Sequence, residues 1–175
     1  MTPDPRRIVV AGVSGSGKTT LSRRLADRLS QPYVEIDGLH HGPRWTPRPE
    51  FLDDVTAFVA QDSWVTEYQY AAAKPLLLER ATLVVWLDLP TWRTMAQVTR
   101  RTVSRRVRRI ELWNGNVEGP LRAFFTDPDH VVRWAWRTRN RLRLELPRLV
   151  DAHPGLDLVR LRSHAEANAW LASLV

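Results

Sequence analysis

The chain has 175 residues, 43% of them hydrophobic, with a formal net charge of +7 and no cysteine. That length suits one domain with a substantial core, and the lack of cysteine excludes disulfides and thiolate metal sites. No apolar run approaches the length of a membrane span and no signal-peptide pattern opens the chain, so a cytoplasmic protein with no membrane partner is expected.

Residues 7–11 read as a short buried strand. The next eight, Gly12-Val13-Ser14-Gly15-Ser16-Gly17-Lys18-Thr19, fit the phosphate-binding pattern G-x-x-x-x-G-K-[ST] at every fixed position. Residues 20–29 then predict an amphipathic helix with Leu21, Leu25 and Leu29 on one face. In this strand–loop–helix context Gly12, Ser14, Gly15, Ser16, Gly17 and Thr20 line the loop. Its N–H groups and the helix N-terminus cradle an anion. Lys18 is placed to bridge the β- and γ-phosphates of ATP, and Thr19 to hold Mg²⁺.

Residues 33–37 predict a second strand ending in Asp37, followed by a turn-rich loop over 38–50 that contains His40, His41 and Trp45. The spacing of Phe51, Val55, Phe58 and Val59 predicts a helix over 51–60. Residues 64–67 form a third strand, 71–80 a helix, and 83–89 an apolar strand stopped by Pro90. A long arginine-rich helix is expected over 91–110, a loop with one possible helical turn over 113–129, and a second basic helix over 130–150. A last strand over 156–161 and a closing helix over 164–174 complete the chain.

Strands alternating with helices predict a three-layer α/β fold with a parallel sheet of about five strands. Right-handed crossovers then gather the carboxyl ends of the strands on the phosphate-loop edge. Asp37, Glu67 and Asp88 lie at or near such ends. Each is a candidate for acid–base work or for Mg²⁺, Asp88 in the manner of a Walker B acid. Adjacent histidines on an extended segment point to opposite sides, so His40 and His41 are not expected to share a metal.

The positive charge is local. Residues 91–148 hold fourteen arginines and five acids, a balance of +9; the rest of the chain balances to −2. Arg101, Arg105 and Arg108 share one helical face, with Val103, Val107 and Ile110 on the other. A packed apolar side and a cationic side are therefore expected, and Trp134 and Trp136 are expected to pack. Such a cationic face attracts phosphates, whether of nucleotides or of nucleic acid.

Taken together, the chain resembles the small P-loop kinases of the adenylate kinase-like, nucleoside monophosphate kinase-like group, and within it the bacterial topology modulation (FlaR-like) proteins. The residues that carry this are 12–19, Asp37 and His40 leading to Trp45, Trp64-Val65-Thr66-Glu67-Tyr68-Gln69-Tyr70, the strand over 83–90, Trp113-Asn114-Gly115-Asn116 with Glu118, and Asp129-His130 through Trp136-Arg137. The departure is at Glu67 and Tyr68, where the group's pattern has Asp and Gly. The resemblance implies a single domain over 1–175 with residues 91–148 as an arginine-rich lid, Arg101 and Arg105 closing on the phosphates. It implies ATP- and Mg²⁺-dependent phosphoryl transfer to a small acceptor, a nucleotide or nucleotide-like metabolite. Two alternatives stand beside it: a small-alcohol kinase with Asp37 as base, and a nucleic-acid-associated ATP-binding protein using the basic segment.

Overall fold

The computed structural model describes residues 6–108, 111–116 and 131–174. Five parallel strands form one sheet in the order β2-β3-β1-β4-β5. They are β1 (Arg7–Gly12), β2 (Tyr33–Val34), β3 (Trp64–Glu67), β4 (Leu83–Leu87) and β5 (Asp157–Leu161). β1 is central, pairing Val10 with Glu67 on one side and Val85 on the other. The helices are α1 (Lys18–Leu29), α2 (Ile36–His40), α3 (Phe51–Val59), α4 (Lys74–Arg80), α5 (Thr91–Val107), α6 (Val131–Thr138), α7 (Arg141–Ala152) and α8 (His164–Ser173).

Strand side chains alternate between faces, and the central strands are apolar on both. Ile8 and Val10 of β1, with Leu83, Val85 and Leu87 of β4, pack against Leu21 and Leu25 of α1 and Ala167 and Leu171 of α8. Val9, Ala11, Val84 and Trp86 pack on the other face, against Val55 and Phe58 of α3, Leu77 of α4 and Leu146 of α7. The result is the three-layer arrangement of the P-loop kinase fold, with residues 13–17 between β1 and α1 at the carboxyl edge.

Four local expectations are corrected. Asp37 does not end a strand. β2 stops at Val34, and Asp37 lies in the first turn of α2. The expected helix over 130–150 is two helices broken at Arg139 and Asn140. α5 is inverted relative to the sequence reading: its buried residues are Thr94, Val98 and Thr102. Val103 is 41% exposed and Val107 71%. The reason is the company α5 keeps, because Val98 and Met95 pack on Val132 and Ala135 of α6. Arg101 and Arg105 stand three and seven residues after Val98 and share its side of the helix, so the valines take the solvent. Trp134 and Trp136 are also outward, 45% and 54% exposed, with Arg137 and Arg139 over their rings. The expected segment over 117–130 and the position of Ile110 lie outside the described residues.

Candidate active site

The phosphate loop is built from its own neighbours. Ser16 N–H donates to the Val13 carbonyl at 3.1 Å, closing the turn that delivers Lys18 to the head of α1. Gly15 has φ of +80°, and a Cβ there would lie 2.5 Å from the Thr94 carbonyl and 2.9 Å from the Val98 nitrogen. Only glycine lets α5 come this close to the loop. Gly17 is also left-handed, and Ser14, Gly15 and Gly17 are half-buried while Thr20 is exposed.

Two features of the loop call for an anion. The Ser16 hydroxyl is buried without a partner among the described residues. Lys18 is 8% exposed, and among the described residues its ammonium donates only to the Val13 carbonyl, at 3.3 Å. Burial lowers the Lys18 pKa to about 8, an effect partly offset by the charges of Asp37 and Glu67 and reinforced by Arg101. Thus Lys18, Asp37, Glu67 and Arg101 occupy one electrostatic neighbourhood although 83 positions of sequence separate the first from the last. Buried, weakly satisfied and positive, Lys18 suits a phosphate that brings its own charge.

The acceptor side is assembled from distant segments. Asp37 Oδ1 accepts from Tyr70 Oη at 2.5 Å and Gln69 Nε2 at 2.8 Å. Both bonds fall on one oxygen, leaving Oδ2 without a hydrogen bond among the described residues. Glu67, at the end of β3, is 1% exposed. Its Oε1 accepts from Tyr33 Oη at 2.6 Å, while Oε2 is buried without a partner. Burial pushes the Glu67 carboxyl up, against the downward pull of the Tyr33 hydrogen bond, with the Asp37 charge adding to the rise. Burial likewise pushes the Tyr70 phenol up, and the Asp37 charge adds to it, so Tyr70 stays a donor.

The histidines do share a side, contrary to the extended-segment expectation. His40 ends α2, and its ring lies edge-on to His41 at 4.8 Å. His40 stacks on Tyr70 at 3.8 Å, and His41 Nε2 lies 3.0 Å from Tyr70 Oη. Burial lowers both imidazole pKa values. Among the described residues no three His, Cys, Asp or Glu side chains gather as a metal site.

A strap holds this segment. Asn116 is 3% exposed. Its Oδ1 accepts from Trp45 N–H at 2.9 Å, and its Nδ2 donates to the Gly42 carbonyl at 2.9 Å and the Trp113 carbonyl at 2.8 Å. Trp113 stacks near His41 at 5.9 Å and lies against Gly38, where a Cβ would be 3.2 Å from its ring. Trp45, with φ of +60°, meets Trp113 edge-on. Sequence reasoning gave Tyr70, Gln69, Tyr33 and Asn116 no chemical role. For Gln69, Tyr70 and Asn116 the only signal was membership of the segments that carry the family resemblance; Tyr33 had none.

Asp88 is not with this group's partners. Arg143 Nε meets its Oδ1 at 2.9 Å and Arg160 Nε its Oδ2 at 3.0 Å. The guanidiniums of Arg143 and Arg160 occupy both oxygens and tie α7 to β5. The cause is strand register: Arg160 pairs opposite Trp86 and lies over its ring, bringing its charge to the residue just after β4.

No family model and no curated protein sequence matches the chain. Solved structures do. Shikimate kinase from Acinetobacter baumannii, in complex with shikimate, matches with a TM-score of 0.53 at 16% identity, covering 95% of this chain and 91% of that one. A gluconokinase from Sinorhizobium meliloti 1021 matches at 0.53 and 21% identity, covering 97% and 93%. Shikimate kinase from Bacteroides thetaiotaomicron matches at 0.54 and 12%, covering 98% and 97%. At these identities the likeness is one of fold, the P-loop kinase fold over nearly the whole chain.

Proposed function

We propose that this chain is an ATP- and Mg²⁺-dependent phosphotransferase acting on a small acceptor. The observation that carries it is Lys18, buried in a complete phosphate loop, with no carboxylate bonded to it among the described residues and with Asp37 and Glu67 in its field. The Ser16 hydroxyl, without a partner among the described residues, and the left-handed glycines Gly15 and Gly17 fit a phosphate cradle. Residues 12–19 hold the phosphates, Lys18 bridges the β- and γ-groups, and Thr19 offers its hydroxyl oxygen to Mg²⁺. Bound Mg²⁺ supplies charge neutralisation on the phosphates.

Asp37 serves the acceptor side. Its free Oδ2 takes the proton of an acceptor hydroxyl as that oxygen bonds to the γ-phosphorus and the bond to the β–γ bridging oxygen breaks, releasing ADP. Tyr70 and Gln69 hold the carboxylate in place through Oδ1. Arg101 and Arg105, on the side of α5 that faces the loop, act with residues 91–148 as a lid over the transferring charge. The group resembled in sequence, the topology modulation-like kinases, and the nucleotide acceptors it implies fall within this reading, as does a cytoplasmic setting; no helix among the described residues is long and apolar enough to cross a membrane.

A second reading, nucleic-acid association, is favoured by Trp92, Trp134 and Trp136, each exposed with an arginine over its ring. One experiment separates the two. ADP release is measured with Mg²⁺ against acceptors and against DNA or RNA. Asp37→Asn is expected to lower acceptor-dependent turnover by about 10²-fold with ATP affinity little changed. Turnover stimulated only by nucleic acid overturns the phosphotransferase reading, whereas a wild-type rate in Asp37→Asn removes Asp37 as the base and leaves the reading standing.

A further inference from the structure

The acceptor side carries information about charge. Its two carboxylates each present one oxygen without a donor among the described residues, Oδ2 of the half-buried Asp37 and the buried Oε2 of Glu67. An unpartnered oxygen on a buried carboxylate is costly unless a ligand donates to it. Both oxygens ask for hydrogen-bond donors, and both repel an anion.

Of the cations in this neighbourhood, Lys18 and Arg101 are assigned to the nucleotide phosphates, and those nearest in the chain are paired with acids. Arg23 pairs with Glu35 at 3.1 Å, Arg48 with Asp54 at 3.0 Å, and Lys74 with Glu145 at 2.5 Å. Arg44 sits exposed on the turn beside Trp45. On the acceptor side of Asp37 stand ring faces: His40 stacked on Tyr70, and His41, Trp45 and Trp113 meeting within 5.1–6.3 Å. Carboxylate oxygens that accept from hydroxyls, next to aromatic faces that take C–H surfaces or flat rings, form the chemistry that recognises an uncharged polyhydroxy molecule.

We infer that the acceptor is a neutral polyol whose hydroxyls donate to Asp37 and Glu67 against the His41–Trp45–Trp113 rings, not a nucleoside monophosphate or a sugar acid. The inference rests on the phosphotransferase reading and narrows it. Two sources share this chemistry: a free sugar or sugar alcohol, and the ribose of an unphosphorylated nucleoside.

The test uses the full chain with ATP and Mg²⁺ and four acceptor sets: neutral hexoses and hexitols, nucleosides, the matching nucleoside monophosphates, and the acids gluconate and shikimate. ADP release and product mass are read together. A neutral acceptor is expected to exceed its phosphorylated or carboxylated counterpart by at least about tenfold in kcat/KM. The sugar and nucleoside arms tell the two sources apart. Calorimetry on the chain loaded with Mg·ADP repeats the comparison as binding, so that it holds even if no acceptor in the sets turns over. There Asp37→Asn and Glu67→Gln are expected to weaken the neutral class and strengthen the monophosphates. Arg44→Ala is expected to leave the neutral class unchanged.

A monophosphate or acid that binds or reacts best overturns the inference, most directly if Arg44→Ala abolishes it, and leaves the phosphotransferase reading standing. Failure of every neutral compound to bind or react also overturns it. The reading beneath it fails separately, if ATP does not bind or if ADP release is unchanged in Lys18→Ala.

Discussion

The two halves of the site are made in opposite ways. The nucleotide half is local: residues 12–19 follow one another, and the turn, the cradle and the lysine arrive together because one strand runs into one helix. The acceptor half is tertiary. Asp37 comes from α2, Glu67 from β3, and Gln69 and Tyr70 from the segment after β3, while the Asn116 strap reaches back across 71 and 74 positions. A site built locally tolerates change elsewhere in the molecule. A site assembled from afar depends on the residues that tie its pieces, even where those residues touch no substrate.

The largest effect should come from the local half, at Lys18. Lys18→Met keeps length and removes the charge. Phosphoryl transfer is expected to fall by about 10³-fold or more, since the cation at the transferring phosphate is lost. Stability should move the other way. The folded-state pKa, about 8, lies below the ordinary 10.5. Between those values the unfolded chain binds more protons, so on this account the wild type gains stability as pH rises from about 8 to about 10.5 and is penalised below. Lys18→Met is therefore expected to be at least as stable as wild type at pH 7, with the difference closing towards pH 10.5. Urea melts at the two pH values check this; a variant that is markedly less stable at pH 7 would show that Lys18 holds the fold as well as the phosphate.

Next comes the tie of the tertiary half. Asn116→Ala strands the Trp45 N–H and the Gly42 carbonyl, at a position 3% exposed, while the Trp113 carbonyl keeps the backbone N–H of residue 116. The expected cost is about 1–3 kcal/mol, read by thermal or chemical melts. More telling is the kinetic split, with the acceptor KM rising well beyond the ATP KM. Equal changes in both would break the contrast between the halves. Asn116→Asp, which keeps the oxygen facing Trp45 N–H, should recover part of the acceptor KM.

The smallest effect on chemistry is expected at Asp88. Its carboxylate is 9% exposed and pairs with arginines that are 44% and 41% exposed. Asp88→Asn should cost about 1–3 kcal/mol of stability, between the values for surface and buried pairs. The Mg·ATP affinity should change by less than about twofold, as titration calorimetry would measure. A large loss of Mg²⁺ dependence would return Asp88 to the nucleotide half.

The sequence by itself determined the fold class and the nucleotide half. The eight-residue phosphate pattern is contiguous, and strands buried on both faces, such as Leu83–Leu87, announce themselves as apolar runs. It also brought Asp37 and Glu67 forward, though for Asp37 through a strand end that proved to be a helix. Tertiary structure alone decided three things. It turned α5 over, because helical periodicity separates the arginines from the valines but cannot say which side meets α6 and the loop. It gave Asp88 its ion-pair partners, because Arg143 and Arg160 are supplied 55 and 72 positions later. And it gave Tyr33, Tyr70 and Asn116 their roles, because a hydrogen bond between residues 34, 33 or 71 positions apart leaves no periodic trace in the chain. Local motifs record the backbone's own geometry; side-chain partnerships across the sheet are fixed only when the layers close.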